Sequence, residues 1–265
     1  MEILTDVSEA GQKHGIRWMV RPAVWFATAY TIVIIVHEAA HAISAVALGY
    51  PSTLFNFWVN HESAQATISE RAIIDVAGPM ASLVIGVVCW VVYQRIKNSV
   101  ASLPLLYVAA FGVTNFFGNL MSAAFIGDFS NAAVKLGVPQ SARVATAVAG
   151  AVAVAGILFA TGRELWHWTP RHAGRVRGLL GVVALPSLVG MAIVVLINQP
   201  TPMGPSFVTA RVGEGAFWLF AALGLLITQQ RRDVRPLRLY WMDSALAILV
   251  LLVVKVMARG IPLMP

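Results

Sequence analysis

Residues 23–49 read AVWFATAYTIVIIVHEAAHAISAVALG, and the polar trio His37, Glu38 and His41 stands inside an otherwise apolar run. At 1.5 Å per residue this run is long enough to cross the roughly 30 Å of hydrocarbon in a bilayer. It exceeds the 7 to 15 apolar residues of a cleaved secretory leader, so it is expected to stay in the mature chain. An ionisable side chain near the middle of a span is costly, on the order of 2.5–3.5 kcal/mol even on the mildest scale, and such residues mark function by default.

The rest of the chain agrees with the first run. Of 265 residues, 58% are apolar and 12% charged, against roughly 25% charged in ordinary soluble domains. Mean hydropathy is +0.75. Further apolar runs fall at 72–93, 104–126, 144–161, 178–197, 212–228 and 241–258. The expected fold is an all-α polytopic membrane protein of six to seven transmembrane helices, with a short membrane-associated β-hairpin after the first helix. A polar segment covers 1–22, a core of three spans with the hairpin covers 23–137, and additional transmembrane helices fill 138–265. The net charge of +7 does not indicate nucleic acid, because the cations lie mostly in short segments between apolar runs, where basic residues set topology. The single cysteine, Cys89, excludes an intrachain disulfide.

Residues 50–71 differ from their surroundings. Leu54, Phe55, Phe57, Trp58 and Val59 favour strand, Asn60-His61-Glu62-Ser63 favours a turn, and Ala66-Thr67-Ile68 reads as a returning strand. Asp75, Glu214 and Asp243 read as helix-start residues whose charge meets the helix dipole. Gly78-Pro79 is compatible with a helix start as well. Asn115 and Asn119 share a helical face, Trp166-His167-Trp168 reads as an interfacial aromatic belt, and Lys255 reads as a snorkelling cation.

HExxH on a helix puts His37 and His41 one turn apart on one face, where both imidazoles reach one zinc ion at about 2.0–2.1 Å, and Glu38 is placed to act as a base. Zinc lowers the pKa of bound water toward 7, and a neighbouring carboxylate takes its proton during attack on a carbonyl. A hydrolytic zinc needs a third protein ligand and an open position. Asp75, Asp128, Glu214 and Asp243, at or within span boundaries, all remain candidates at this point.

HExxH in a membrane helix, Ala77-Gly78-Pro79-Met80-Ala81-Ser82 in the next span, and Asn119 and Asp128 at the end of a third together resemble the core of the site-2 protease family of intramembrane zinc metalloproteases. The resemblance covers residues 23 to 137. It implies His37, His41 and Asp128 as ligands of one zinc per chain and Glu38 as the catalytic base. It implies that Asn119 contacts substrate backbone or the tetrahedral oxyanion, that 54–68 holds an unwound substrate by strand addition, and that the span carrying Gly78-Pro79 packs closely on the zinc helix. Ser122 and Phe129 stand where the family usually has proline and glycine; Asp128-Phe129-Ser130-Asn131 and Lys135-Leu136-Gly137 resemble its short, looser branch.

The implied activity is that of an endopeptidase cleaving a transmembrane segment of a partner membrane protein, in a multi-pass protein of a prokaryotic cell membrane. No nucleic-acid partner and no organic cofactor are expected. Alternatives are a zinc-binding, non-proteolytic relative, a divalent-metal transporter, and a prenyl-protein-type membrane protease that takes Glu214 as third ligand.

Overall fold

The computed structural model describes residues 17–99, 101–169, 174–197, 217–218, 220–228 and 241–265. Helix α1 (Arg17–Ala47) leads through strands β1 (Ser52–Leu54) and β2 (Val59–His61) into α2 (Ile68–Ile96), α3 (Ser102–Met121), the short α4 (Asp128–Lys135) and α5 (Gln140–Trp166). Helix α6 (Arg175–Leu179) passes through a π-helical turn (Leu180–Ala184) into α7 (Leu185–Ile197), and α8 (Phe220–Ile227), α9 (Trp241–Met257) and strand β3 (Ile261–Leu263) follow.

Among the described residues, five helical stretches are long and apolar enough to cross a membrane: Met19–Ala47, Ile68–Ile96, Ser102–Met121, Gln140–Trp166 and Arg175–Ile197. Val84, Val88 and Val91 on α2, and Val144, Val148 and Val152 on α5, are exposed at helical spacing, forming apolar outer stripes. Most of the run expected at 212–228 before Phe220, including Glu214, lies outside the described residues.

Helix α1 is the hub, packing on α2, α3, α7 and α9. Its first half inserts the fully buried Phe26 among Phe111, Trp218 and Tyr107. Ring centroids lie 4.8 Å from Phe111 and 4.9 Å from Trp218, in the edge-to-face range that aromatic quadrupoles favour. Helices α2 and α3 meet through glycine. A Cβ on Gly112 would stand 2.5 Å from the Ser82 carbonyl oxygen, and one on Gly86 2.7 Å from the Val113 nitrogen. Small residues permit this backbone approach where apolar solvent gives helices no hydrophobic reason to associate.

Several expected placements change. Helix α2 starts at Ile68, because Thr67 and Glu70 form a reciprocal capping box; Thr67 thus caps a helix instead of continuing a strand. Asp75 and Gly78-Pro79 consequently lie inside α2 and start nothing. The hairpin exists with a different register. Ser52 pairs with His61 and Leu54 with Val59, so the aromatics form the connection, closed by Phe55 N–H donating to the Trp58 carbonyl at 2.9 Å and by the stacked rings of Phe55 and Trp58. Asn60 and His61 belong to β2 instead of a turn. Trp166 and Trp168, read as an interfacial belt, are buried in the core at 2% exposure each. Lys255 donates to the Ile197 carbonyl.

The sheet gains a strand with no counterpart in the sequence reading: β3 pairs antiparallel with β1, giving the order β2-β1-β3. Helix α9 carries β3 to this position. At its other end Asp243, in the first turn of α9, accepts from Trp25 Nε1 at 2.9 Å and pairs with Arg21 at 2.9 Å. Arg21 and Asp243 are only 2% and 5% exposed, and breaking a buried pair costs about 3–5 kcal/mol because the remaining charge loses its partner. Asp243→Leu is therefore expected to lower the thermal midpoint of the detergent-solubilised protein by many degrees; an unchanged midpoint would show that the α1–α9 clamp contributes nothing.

Candidate metal centre

The second half of α1 carries His37 and His41 toward α2. Both are buried, at 6% and 7% exposure. Asp128, the first residue of α4, meets them from the end of the bundle where α3 stops. His37 Nε2 lies 3.1 Å from Asp128 Oδ2 and 3.1 Å from His41 Nε2, and His41 Nε2 lies 3.6 Å from Asp128 Oδ2. Bonds of 2.0–2.1 Å at tetrahedral angles put neighbouring donors about 3.3 Å apart. The three atoms thus form a triangle of the size that one face of a tetrahedral metal site requires. This is the only group of three or more His, Cys, Asp or Glu residues suited to a metal ion among the described residues.

The far side of each imidazole selects its tautomer. His41 Nδ1 lies 2.6 Å from the Ile74 carbonyl oxygen, an acceptor, so Nδ1 carries the hydrogen. The Ser82 hydroxyl donates to the Gly78 carbonyl at 3.2 Å, leaving its oxygen to accept from His37 Nδ1, also at 3.2 Å. In neutral imidazoles both Nε2 atoms are then lone pairs, and with the carboxylate they make three converging acceptors. A cation satisfies all three at once. Metal-ligating histidines usually have their other ring nitrogen fixed in this manner.

Helix α2 supplies the wall. Ile74, Gly78 and Ser82 recur at intervals of four, one under the other on a helical face, and each touches the site. Gly78 is the closest: a Cβ there would come within 2.3 Å of His41 Nε2. Close packing of this span on α1 was expected from the resemblance, whereas the supporting roles of the Ile74 carbonyl and Ser82 were missed. The recurrence at four was present in the sequence, but nothing in it said which face of α2 would meet α1.

On the other side, Gly127 turns the chain into α4 with φ +102°, a conformation that side-chain-bearing residues rarely adopt. Asn119 Oδ1 accepts from the Asp128 backbone N–H at 3.4 Å, and Asn119 Nδ2 donates to the Asn115 carbonyl at 3.1 Å. Asn119 thus sits between the end of α3 and the proposed ligand, with its Nδ2 bond running within α3.

The other candidates go elsewhere. Asp75 pairs with Lys135 and Asp243 with Arg21. His61, on β2, bonds Ser63 Oγ at 2.7 Å, and burial lowers its pKa. Glu38 is half-buried next to His37 on α1, close enough for its charge to act on His41.

Comparison with protein-family models, with curated proteins and with solved structures finds no match. The fold and site define a helical protein with, among the described residues, five span-length apolar helices and a His-His-Asp group, its histidines buried and its aspartate partly so, able to hold a metal ion. Because the Ile74 hydrogen bond restrains the His41 ring, Gly78→Ala is expected to displace that ring and lower metal affinity at least about tenfold, the scale of losses seen when ligand support is altered. Titration against a chromophoric chelator measures this, and wild-type affinity in a folded Gly78→Ala protein would refute the contact.

Proposed function

We propose that this chain is an intramembrane zinc endopeptidase that cuts a transmembrane segment of a partner membrane protein. The observation that carries the reading is the triangle of lone-pair donors from His37, His41 and Asp128, held by α2 within a bundle of span-length apolar helices. Two imidazoles and one carboxylate with room for a fourth ligand match the donor set of hydrolytic zinc sites. Side-chain exposure of 26% at Asp128, against 7% and 9% at the histidines, gives the site an open side. In this reading the protein is a multi-pass component of a prokaryotic cell membrane with six to seven spans, and the resemblance to site-2 proteases supplies the reaction.

When bound, zinc supplies a Lewis acid and brings the pKa of water toward 7. Glu38 takes the proton from water as it attacks and returns it to the leaving amine. Asn119 retains a second Nδ2 hydrogen for the substrate backbone or the oxyanion, where one well-placed donor is worth about 10²–10³ in rate.

A helical peptide bond is shielded by its own hydrogen bonds, so the substrate must be extended at the site. Phe55 with Trp58 and Glu62 with Pro51 are hydrogen-bonded pairs of the hairpin. Antiparallel ladders alternate, which makes Thr53–Asn60 the next bonded pair and turns the N–H and C=O groups of Val59 and His61 outward. At the opposite edge the same alternation turns the backbone nitrogen of Pro262 outward, since Pro262 opposes Thr53. Proline offers no N–H, so that edge is blunted. Edge β2 keeps its donors and is the strand that would receive substrate.

Two variants test this function. Glu38→Gln is expected to keep fold and zinc while reducing cleavage to below about 1% of wild type, because the amide cannot accept water's proton; cleavage near the wild-type level would refute the mechanism. Val59→Pro removes an outward donor without touching the hairpin's own ladder. It should lower cleavage of membrane substrates with zinc retained, whereas unchanged turnover would dismiss β2 as the substrate strand.

A further inference from the structure

We propose that Asp75 and Lys135 are positioning residues for the metal centre: their ion pair pins α4 to α2 and thereby holds Asp128 against the two histidines. The proposal rests on the reading of His37, His41 and Asp128 as ligands. Helix α4 has only eight residues, and of these only the small Ser130 and Ala132 are buried. Burial of two small side chains yields little of the apolar area that normally seats a helix, at roughly 25 cal/mol per Å². Phe129 adds an edge-on ring contact with Phe116 of α3, and polar contacts stand at the two ends of α4. At one end Asp128 faces His37 and His41. At the other, Lys135 Nζ meets Asp75 Oδ2 at 2.6 Å, with the two side chains 33% and 12% exposed.

The place of Asp75 on α2 gives the pair its leverage. The preceding residue, Ile74, supplies the carbonyl that orients His41, and Gly78 and Ser82 follow on the wall that meets both histidines. Through Lys135 the same stretch of α2 also fixes α4, so one stretch sets the positions of all three donors. Asp75 does not touch the donor atoms in this arrangement. It acts through Lys135 and the helix, across about 10 Å of α4 at 1.5 Å per residue.

The test measures zinc affinity of the full chain, stripped with chelator and titrated against a chromophoric competitor, together with the visible absorption of bound Co²⁺, which reports ligand number and geometry. Lys135→Met and Asp75→Asn should each weaken zinc binding about 10–100-fold, as for supporting residues elsewhere, and should alter the Co²⁺ spectrum. Lys135→Arg keeps the charge at a similar reach and should bind within about threefold of wild type. The exchange Asp75→Lys with Lys135→Asp should recover much of the affinity lost in either single variant. Wild-type affinity and spectrum in Lys135→Met, with Asp128→Asn losing metal, would overturn the positioning role while leaving the ligand set intact. Wild-type binding by Asp128→Asn would overturn the ligand reading and this proposal with it. If the single variants do not fold, the exchange decides: a folded exchange protein that binds as poorly as Asp128→Asn refutes the pair.

Discussion

Three lone-pair donors from His37, His41 and Asp128 share one small volume among apolar helices, and much of the local architecture exists to keep them there. Left to themselves, facing acceptors repel, and a polar group buried without a partner costs about 1–3 kcal/mol. The arrangement is tolerable because the outer nitrogens are hydrogen-bonded, His41 to the Ile74 carbonyl and His37 to Ser82, and because a cation would satisfy the inner ones. The glycines follow from the same need. Gly78 makes room for the His41 ring, and Gly86 and Gly112 let α2 and α3 touch through their backbones, which brings the end of α3, with Asn119, close to Asp128.

How much of this was legible depends on whether a feature is set locally or by packing. The run at 23–49 and the intervals of HExxH are local, so a long helix with two histidines on one face could be read directly. The third donor was not local. Asp75, Asp128, Glu214 and Asp243 stood equal in the sequence until family resemblance singled out Asp128, and only three-dimensional packing brings Asp128 beside the histidines while sending Asp75 to Lys135 and Asp243 to Arg21. The misplaced hairpin has the opposite cause. Strand propensity pointed to the aromatics 55–58, but stacking of Phe55 on Trp58 suits a tight connection, and the Thr67–Glu70 capping box claimed the residues expected to return as a strand. Trp166 and Trp168 misled because tryptophan is common both at membrane interfaces and in cores, and sequence does not separate the two.

The sheet shows how distant parts of the chain cooperate near the candidate metal centre. Ile261 and Leu263 of β3 pack with Leu54, Val59 and Ala42. Strand β3 is brought there by α9, whose start is tied to Arg21 and Trp25 near the beginning of α1. Helix α9 therefore spans between a polar clamp at one end of α1 and a strand pairing at the other. Slack in the clamp would reach β1 through β3, and β2 through β1, so a salt bridge far from the histidines bears on the orientation of the hairpin.

Polarity in this molecule is concentrated where an apolar surrounding makes it strong. An ion pair in water at 4 Å is worth about 1 kcal/mol, and the same pair gains severalfold as the effective dielectric falls toward that of protein. Arg21–Asp243 is almost wholly buried and Lys135–Asp75 partly so, and each joins two elements: α9 to α1, and α4 to α2. By contrast the broad contact of α2 with α3 uses glycine and small residues and needs no charge. Asp75, inside α2, accordingly finds its partner on α4, whereas Glu70 in the first turn of the same helix caps the helix that carries it.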